Sequence, residues 1–224
     1  MEGDPVNLAL RLTRTTRHAD GGSGRTETLT SPEALTSWAR EQAGLPGYAA
    51  NPIALTEVLA VRDATRALFA QAVGGKPGLA PADAAGVLNA ASVRVPFTLE
   101  LEPDSVAGEP KPTARRREAP LGTTAGSSAG QAFPDQASSD QASPDQASPD
   151  QASPDLAGLA ARAAIDLLTG PDRSRLRACP APRCVQYFLK DAPRQEFCKT
   201  ACSNRTRAAR HYARHRNDSA PAAN

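Results

Sequence analysis

The residues in this chain whose type and spacing could do defined chemistry are its four cysteines, Cys179, Cys184, Cys198 and Cys202. Their order is Cys-x4-Cys-x13-Cys-x3-Cys, two close pairs within one short C-terminal stretch. Two such pairs are how a single Zn²⁺ is surrounded by thiolates, each sulfur about 2.3 Å from the ion at the corner of a tetrahedron. Pro180 and Pro182 stiffen the first loop, "CPAPRC". Three other uses compete. Two disulfides would suit an oxidising compartment. A redox pair is more often Cys-x-x-Cys, which neither pair matches. A catalytic zinc needs an open coordination position, which four cysteines do not leave. We therefore expect one structural Zn²⁺ held by Cys179, Cys184, Cys198 and Cys202. His211 and His215, four apart, form an alternative ligand pair, but on an arginine-rich helix they read more simply as solvent-facing. His18 reads as ordinary surface.

The elements that must position these sulfurs follow from the flanking sequence. Between the pairs, "VQYFLKDAPRQEF" suggests two short strands, Val185–Leu189 and Gln195–Phe197, with a turn at Asp191-Ala192-Pro193. Cys198 and Cys202, four apart, would share one face of a helical first turn. Knuckle, hairpin and helix together predict a treble-clef or zinc-ribbon-like module over 171–216. After Cys202, "SNRTRAARHYARHR" places Arg207, Arg210 and Arg214 on one helical face, and Ala208, Ala209 and Tyr212 are expected to pack inward.

Upstream, capping signals predict helices. "SPEALTSWAREQAGL" has Ser31 as N-cap, Pro32 at the first helical position and Gly44 as the stop. "PIALTEVLAVRDATRALFAQAVGG" carries a stripe of Leu55, Val58, Leu59, Arg62, Leu68 and Phe69 and ends at Gly74-Gly75. "PADAAGVLNAAS" is a third helix, and "VRVPFTLEL" alternates like an edge strand over Val93–Leu101. A closing helix over 156–169 has Asp155 as N-cap and Gly170-Pro171 as terminator. These elements predict an α+β chain: a mostly helical N-terminal domain with a small sheet, residues 1–102, closed by helix 156–169, followed by the zinc module.

Between them, residues 103–155 lose the pattern. The segment contains "KPTARRREAP" and five pentapeptides, QAFPD, QASSD and three copies of QASPD, each with one Asp and no basic residue. So little apolar surface cannot offset the entropy of ordering, and we expect a disordered acidic insertion with a coil span of roughly 40 Å. An acidic mimic docking on the basic module is the functional alternative. Residues 217–224 read as a disordered tail.

Composition agrees with folded segments separated by unfolded ones: the apolar fraction is 40%, aromatics are 4%, and there are 20 prolines and 16 glycines. No run of 18 apolar residues occurs, so no membrane span is expected. The N-terminal "MEGDPVNLAL" lacks the basic and apolar regions of a secretory signal, so we expect a cytoplasmic, nucleoid-associated protein. Net charge is +2, but residues 171–216 alone carry +9 and the remainder −7. Such asymmetry points to a polyanionic partner.

The stretch from Arg175 to Arg216 resembles the CGNR zinc-finger module of bacterial transcription regulators. That family reads Arg-x-Cys, four residues, Cys, an aromatic and Asp before an Arg, an aromatic-Cys pair, then Cys-Gly-Asn-Arg opening a basic helix. The matching residues here are Arg177, Cys179, Cys184, Phe188, Asp191, Arg194, Phe197, Cys198, Cys202, Asn204 and Arg205, with Ser203 in place of glycine. The family's N-terminal partner is an α/β stress-induced regulator domain. "TLTSPEALTSWAREQAGL" and the helices through "LAVRDATRALFAQAV" and "LAGLAARAAIDLLTG" resemble it. That family has a strand pair before its closing helix, of which one strand is evident here.

The resemblance implies a DNA-binding transcription regulator. Its zinc module would contact double-stranded DNA through Arg205, Arg207, Arg210 and Arg214. Its helical domain would sense a small-molecule effector or form a homodimer. The alternative is a zinc-scaffolded adaptor whose basic helix meets an acidic protein. No Ser/His/Asp set, phosphate loop or open metal site is evident, so an enzyme is not expected.

Overall fold

The computed structural model describes residues 6–18, 25–95, 97–102, 113–118 and 153–218. The chain forms two compact units, residues 95–154 and everything else. The larger unit begins with α1 (Val6–Thr13), β1 (Thr16–His18), β2 (Arg25–Glu27), α2 (Pro32–Gln42), α3 (Pro52–Ala72) and α4 (Pro81–Ser92). It resumes with α5 (Leu156–Thr169), a 3₁₀ turn (Pro171–Arg175), then β5 (Leu176–Ala178), β6 (Tyr187–Leu189) and α6 (Thr200–Asp218). The smaller unit contains β3 (Phe97–Glu102) and β4 (Thr113–Glu118).

The caps account for the helix boundaries. Ala34 N–H donates to the Ser31 hydroxyl at 3.2 Å, and Ala54 N–H donates to Asn51 Oδ1 at 2.8 Å. Each starts a helix by satisfying a donor that has no partner inside it. Asp155 does the same for α5, accepting from Gly158 N–H at 2.9 Å. Gly44 and Gly74 follow α2 and α3 at φ +72° and +74°, the left-handed conformation that ends a helix and that a side chain resists.

One hydrophobic core joins these helices. Leu12 from α1, Leu35 from α2, Val58, Val61 and Phe69 from α3, Leu88 from α4 and Leu167 from α5 are all essentially inaccessible to water. Helix α5 packs against α1, α3 and α4. Its buried face is mostly alanine, at 157, 160, 161, 163 and 164, which lets three neighbours approach one helix closely. Leu176 of β5 belongs to the same core, and Tyr187 and Leu189 of β6 pack on it. The cysteine module thus shares the core of the helical region.

Among the described residues, three antiparallel pairs form: β1 with β2, β3 with β4, and β5 with β6. The strand expected over Val93–Leu101 is shorter, because α4 continues to Ser92 and Val93 caps it, exposed. Pairing starts at Phe97, opposite Glu118. Its partner, β4, lies in the segment read as part of the disordered insertion. "TARRRE" has no apolar alternation, so neither of its faces announces a strand. Helix α1 was likewise not expected, although the sequence Asp4-Pro5 directly before Val6 is a helix start signal.

The chain leaves the larger unit after Arg94 and re-enters at Asp155, and these two residues are paired. Arg94 Nε donates to Asp155 Oδ2 at 2.7 Å, and its terminal nitrogens reach Glu57 on α3 at 2.9 and 3.2 Å. Hydrogen bonding to Asp155 raises the Arg94 pKa above its ordinary value despite some burial. The pentapeptide repeats up to residue 152 and the tail from residue 219 lie outside the described residues. Helix α6 continues to Asp218, past the expected start of that tail.

Candidate metal centre and basic helix

The cysteine module is built from a hairpin, a knuckle and a helix. The hairpin pairs Leu176 with Leu189 and Ala178 with Tyr187. It therefore uses a strand upstream of the first knuckle. Gln195–Phe197, expected as the second strand, is irregular, and Gln195 instead accepts the Asp191 N–H on its side chain at 2.8 Å. Arg175 fixes the base of the module. It donates to Asp172 Oδ1 at 2.5 Å, to the Asp191 carboxylate and to the Lys190 carbonyl.

The first knuckle closes through Cys184 N–H to the Ala181 carbonyl at 3.0 Å and Cys179 N–H to the Gln186 carbonyl at 2.9 Å. Arg183 sits at φ +61°, the one non-glycine among the described residues in that region. This turn aims Cys184 back at Cys179 and is a local backbone cost located at the site. The second pair straddles the start of α6. Cys198 lies just before the helix and Cys202 in its first turn, so the two do not share a helical face as expected. The shared approach comes from the bend between them, which the Cys202 N–H bond to the Lys199 carbonyl closes at 3.0 Å. Ser203, where the related family has glycine, is helical without positive φ and fits without strain.

The four sulfurs converge, all within 4.8 Å of one another. Cys184–Cys198, Cys198–Cys202 and Cys184–Cys202 separations are 3.8, 3.6 and 3.8 Å. These are far longer than a disulfide bond of about 2.05 Å. A tetrahedron with metal–sulfur distances of about 2.3 Å has edges of about 3.8 Å, so the spacing fits one four-coordinate thiophilic cation. Cys179 and Cys202 are buried, and Phe188, Ala181 and Phe197 pack around the cluster. Such apolar packing keeps water away from the sulfurs.

Electrostatics favour the same chemistry. Burial pushes the Cys184 thiol up to about 11 and the Cys198 thiol higher still. Burial also opposes ionisation of Cys179, but N–H donors from Cys198 and Ala181 hold its pKa below the ordinary value. Four thiolates here need a compensating cation. His211 stands exposed on α6 and is not part of the cluster.

Helix α6 carries the basic surface. Arg207, Arg210 and Arg214 are exposed and line a shallow groove with Ala213. Arg205 is exposed too, and its guanidinium donates to the Pro182 carbonyl at 3.1 Å. That bond ties the helix to the first knuckle. Ala208, Ala209 and Tyr212 do not pack inward as expected: all three are exposed, Tyr212 at 74%. The helix projects from the cluster, so no core lies beneath them.

Sequence reading missed the residues that dock this module. Arg66 of α3, buried, donates to the Thr13 carbonyl at 2.7 Å and the Val185 carbonyl at 2.8 Å. Its guanidinium lies 5.4 Å from the Tyr187 ring centre. Tyr187 in turn meets Phe69 edge-on at 5.6 Å, and Gln186 Nε2 donates to the Thr16 carbonyl at 2.8 Å. A second arginine one turn earlier, Arg62, is also buried and bonds Glu27 and Asp63. Two arginines four apart inside an apolar stripe were the available signal, since buried guanidinium requires partners.

Residues 6–171 match the model of the ABATE family, described as "Putative stress-induced transcription regulator". Residues 175–215 match the CGNR zinc finger. No curated protein matches the chain. Among the described residues, no helix is long and apolar enough to cross a membrane.

Proposed function

Because this chain belongs to the ABATE transcription-regulator family and ends in a CGNR zinc finger, we propose that it binds duplex DNA through a helix anchored by one structural Zn²⁺. The cation would be held by Cys179, Cys184, Cys198 and Cys202, with no open position for catalysis. Bound there, it fixes the start of α6 against the first knuckle and supplies folding free energy. The observation that carries this reading is the exposed arginine face of α6 beside a four-sulfur cluster of tetrahedral spacing.

Arg207, Arg210 and Arg214 would meet phosphates or base edges, and Arg205 would divide its donors between DNA and Pro182. A helix of 19 residues extends about 28 Å, and the major groove that would receive it is about 12 Å wide. Zinc with four thiolates contributes −2, so the +9 of residues 171–216 falls to about +7, which is still a strong field for a polyanion.

Gel shifts over a salt series test this. Log affinity should fall linearly with log salt, by about −0.9 for each phosphate neutralised. Arg210→Ala should reduce the slope by about one unit if it meets a phosphate, or relax sequence preference if it reads guanine. Zinc-loaded protein that shows no duplex binding at moderate salt would reject the proposal in favour of the adaptor. Unchanged binding in Arg210→Ala would remove α6 from the interface.

A further inference from the structure

A second basic feature lies away from the cysteines, in the helical region. A groove of about 710 Å³ opens between two walls. One wall comes from α1 and the segment into β1 and contributes Arg11, Arg14 and Arg17. The other comes from α2 and contributes Trp38 and Glu41. The Arg11 guanidinium crosses between the walls to donate to the Gln42 carbonyl at 2.6 Å. Arg14 and Arg17 are exposed, and no described residue pairs with either guanidinium.

In the helical region upstream of the cysteine module, Arg40, Arg62, Arg66 and Arg94 each hold carboxylates or carbonyls. Arg14 and Arg17, whose guanidiniums have no partner among the described residues, face one concavity with Arg11 beside them. Guanidinium forks match phosphate oxygens in paired hydrogen bonds, and several forks suit an anion of more than one charge. The half-buried Trp38 adds an aromatic surface on the opposite wall, on which a planar ring can stack. Glu41 is the acid in the lining, and beside Trp38 it can accept from a ring amino group. Pockets of this size hold ligands of metabolite dimensions.

We infer that the Arg11–Arg14–Arg17 groove is a binding site for a nucleotide, its phosphates on the arginine wall and its base against Trp38. The site needs no DNA-binding role in α6, so either can fail without the other. It does adjoin the zinc module: Thr16, directly before Arg17, gives its carbonyl to Gln186, and Thr13, directly before Arg14, gives its carbonyl to Arg66, which also holds Val185.

Trp38 is the single tryptophan of the chain, so its fluorescence reports this groove directly. Full-length zinc-loaded protein is titrated with ATP, with correction for nucleotide absorbance. Adenosine, pyrophosphate, salicylate and a short duplex are titrated in parallel. Saturable quenching by ATP is expected, with adenosine and pyrophosphate each binding about tenfold or more weakly, as loss of one set of contacts requires. The double variant R14A/R17A, exposed at both positions, should keep its circular dichroism and lose at least about tenfold in ATP affinity. Four results would overturn the assignment: no saturable quenching at millimolar ATP, undiminished affinity in the double variant, pyrophosphate or salicylate binding as tightly as ATP, or quenching by the duplex alone. The last would make the groove part of a DNA surface.

Discussion

Replacing Arg66 by alanine tests whether the zinc module and the helical region are one cooperative structure. Arg66 makes two charge-assisted hydrogen bonds at this junction, one to Thr13 within the helical region and one across it to Val185, and lies over Tyr187 of the module. Each such bond contributes about 1.5–3 kcal/mol, and the ring contact about 1–2 kcal/mol when shielded from water. These terms overlap, since all depend on one side chain, and the loss leaves the carbonyl of fully buried Thr13 without this donor. We expect Arg66→Ala to cost about 3–5 kcal/mol, at the high end for a single substitution because two buried charge-assisted hydrogen bonds and their packing go together. For a chain of this size that lowers Tm by about 10 °C. Urea unfolding followed by circular dichroism gives the free energy, and zinc release to a chelator, followed in parallel, should accelerate. Arg66→Lys should recover only part of the loss, because one ammonium cannot reproduce the fork that spans both carbonyls. A cost below about 1 kcal/mol for Arg66→Ala, with unchanged zinc release, would refute the reasoning and make the module an independent bead.

Further outcomes follow from the same geometry. Purified under reducing conditions without chelator, the protein should carry one zinc per chain. Cys198→Ser should unfold the cysteine module, since structural zinc contributes on the order of 10 kcal/mol, and should also lower the Tm of the helices that share a core with its hairpin. Absence of zinc in the wild-type protein by metal analysis would contradict this. Asp155→Ala removes the cap of α5 and one partner of Arg94, and should cost about 1–2 kcal/mol in urea unfolding, with the exposed ion pair contributing the smaller share. Deleting Gln131–Asp150 should leave Tm nearly unchanged, because loop length alters closure by only about 0.6 kcal/mol per doubling. A sharp fall in Tm would show that the repeats pack.

Sequence patterns reached the helices whose ends carry chemistry of their own. Ser31, Asp155, Gly44 and Gly74 each act within a few residues, so a local reading finds them. The cysteines were legible for a related reason: metal geometry constrains their spacing directly. What escaped depends on distant partners. The pairing of β6 with β5 skips the whole first knuckle, whereas the turn residues at 191–193 suggested a nearer partner. Strand β4 consists mostly of charged residues that become a strand only opposite β3. An arginine such as Arg66 ordinarily reads as solvent-facing, and only the folded chain brings the carbonyls of Thr13 and Val185 to its two ends.

The ion pair between Arg94 and Asp155 has an evolutionary consequence. It fixes the exit and return of the chain at one point, with Glu57 of α3 as a third member. Everything the gene encodes between those codons is attached to the helical region by roots that are already held together. Tandem units of five codons gain and lose copies without shifting the reading frame. With the roots clamped, such a change leaves the spacing of α4 and α5 as it was. Copy number can therefore drift between lineages while the core and the cysteine module stay under selection, and length variation among relatives should concentrate between these two charges.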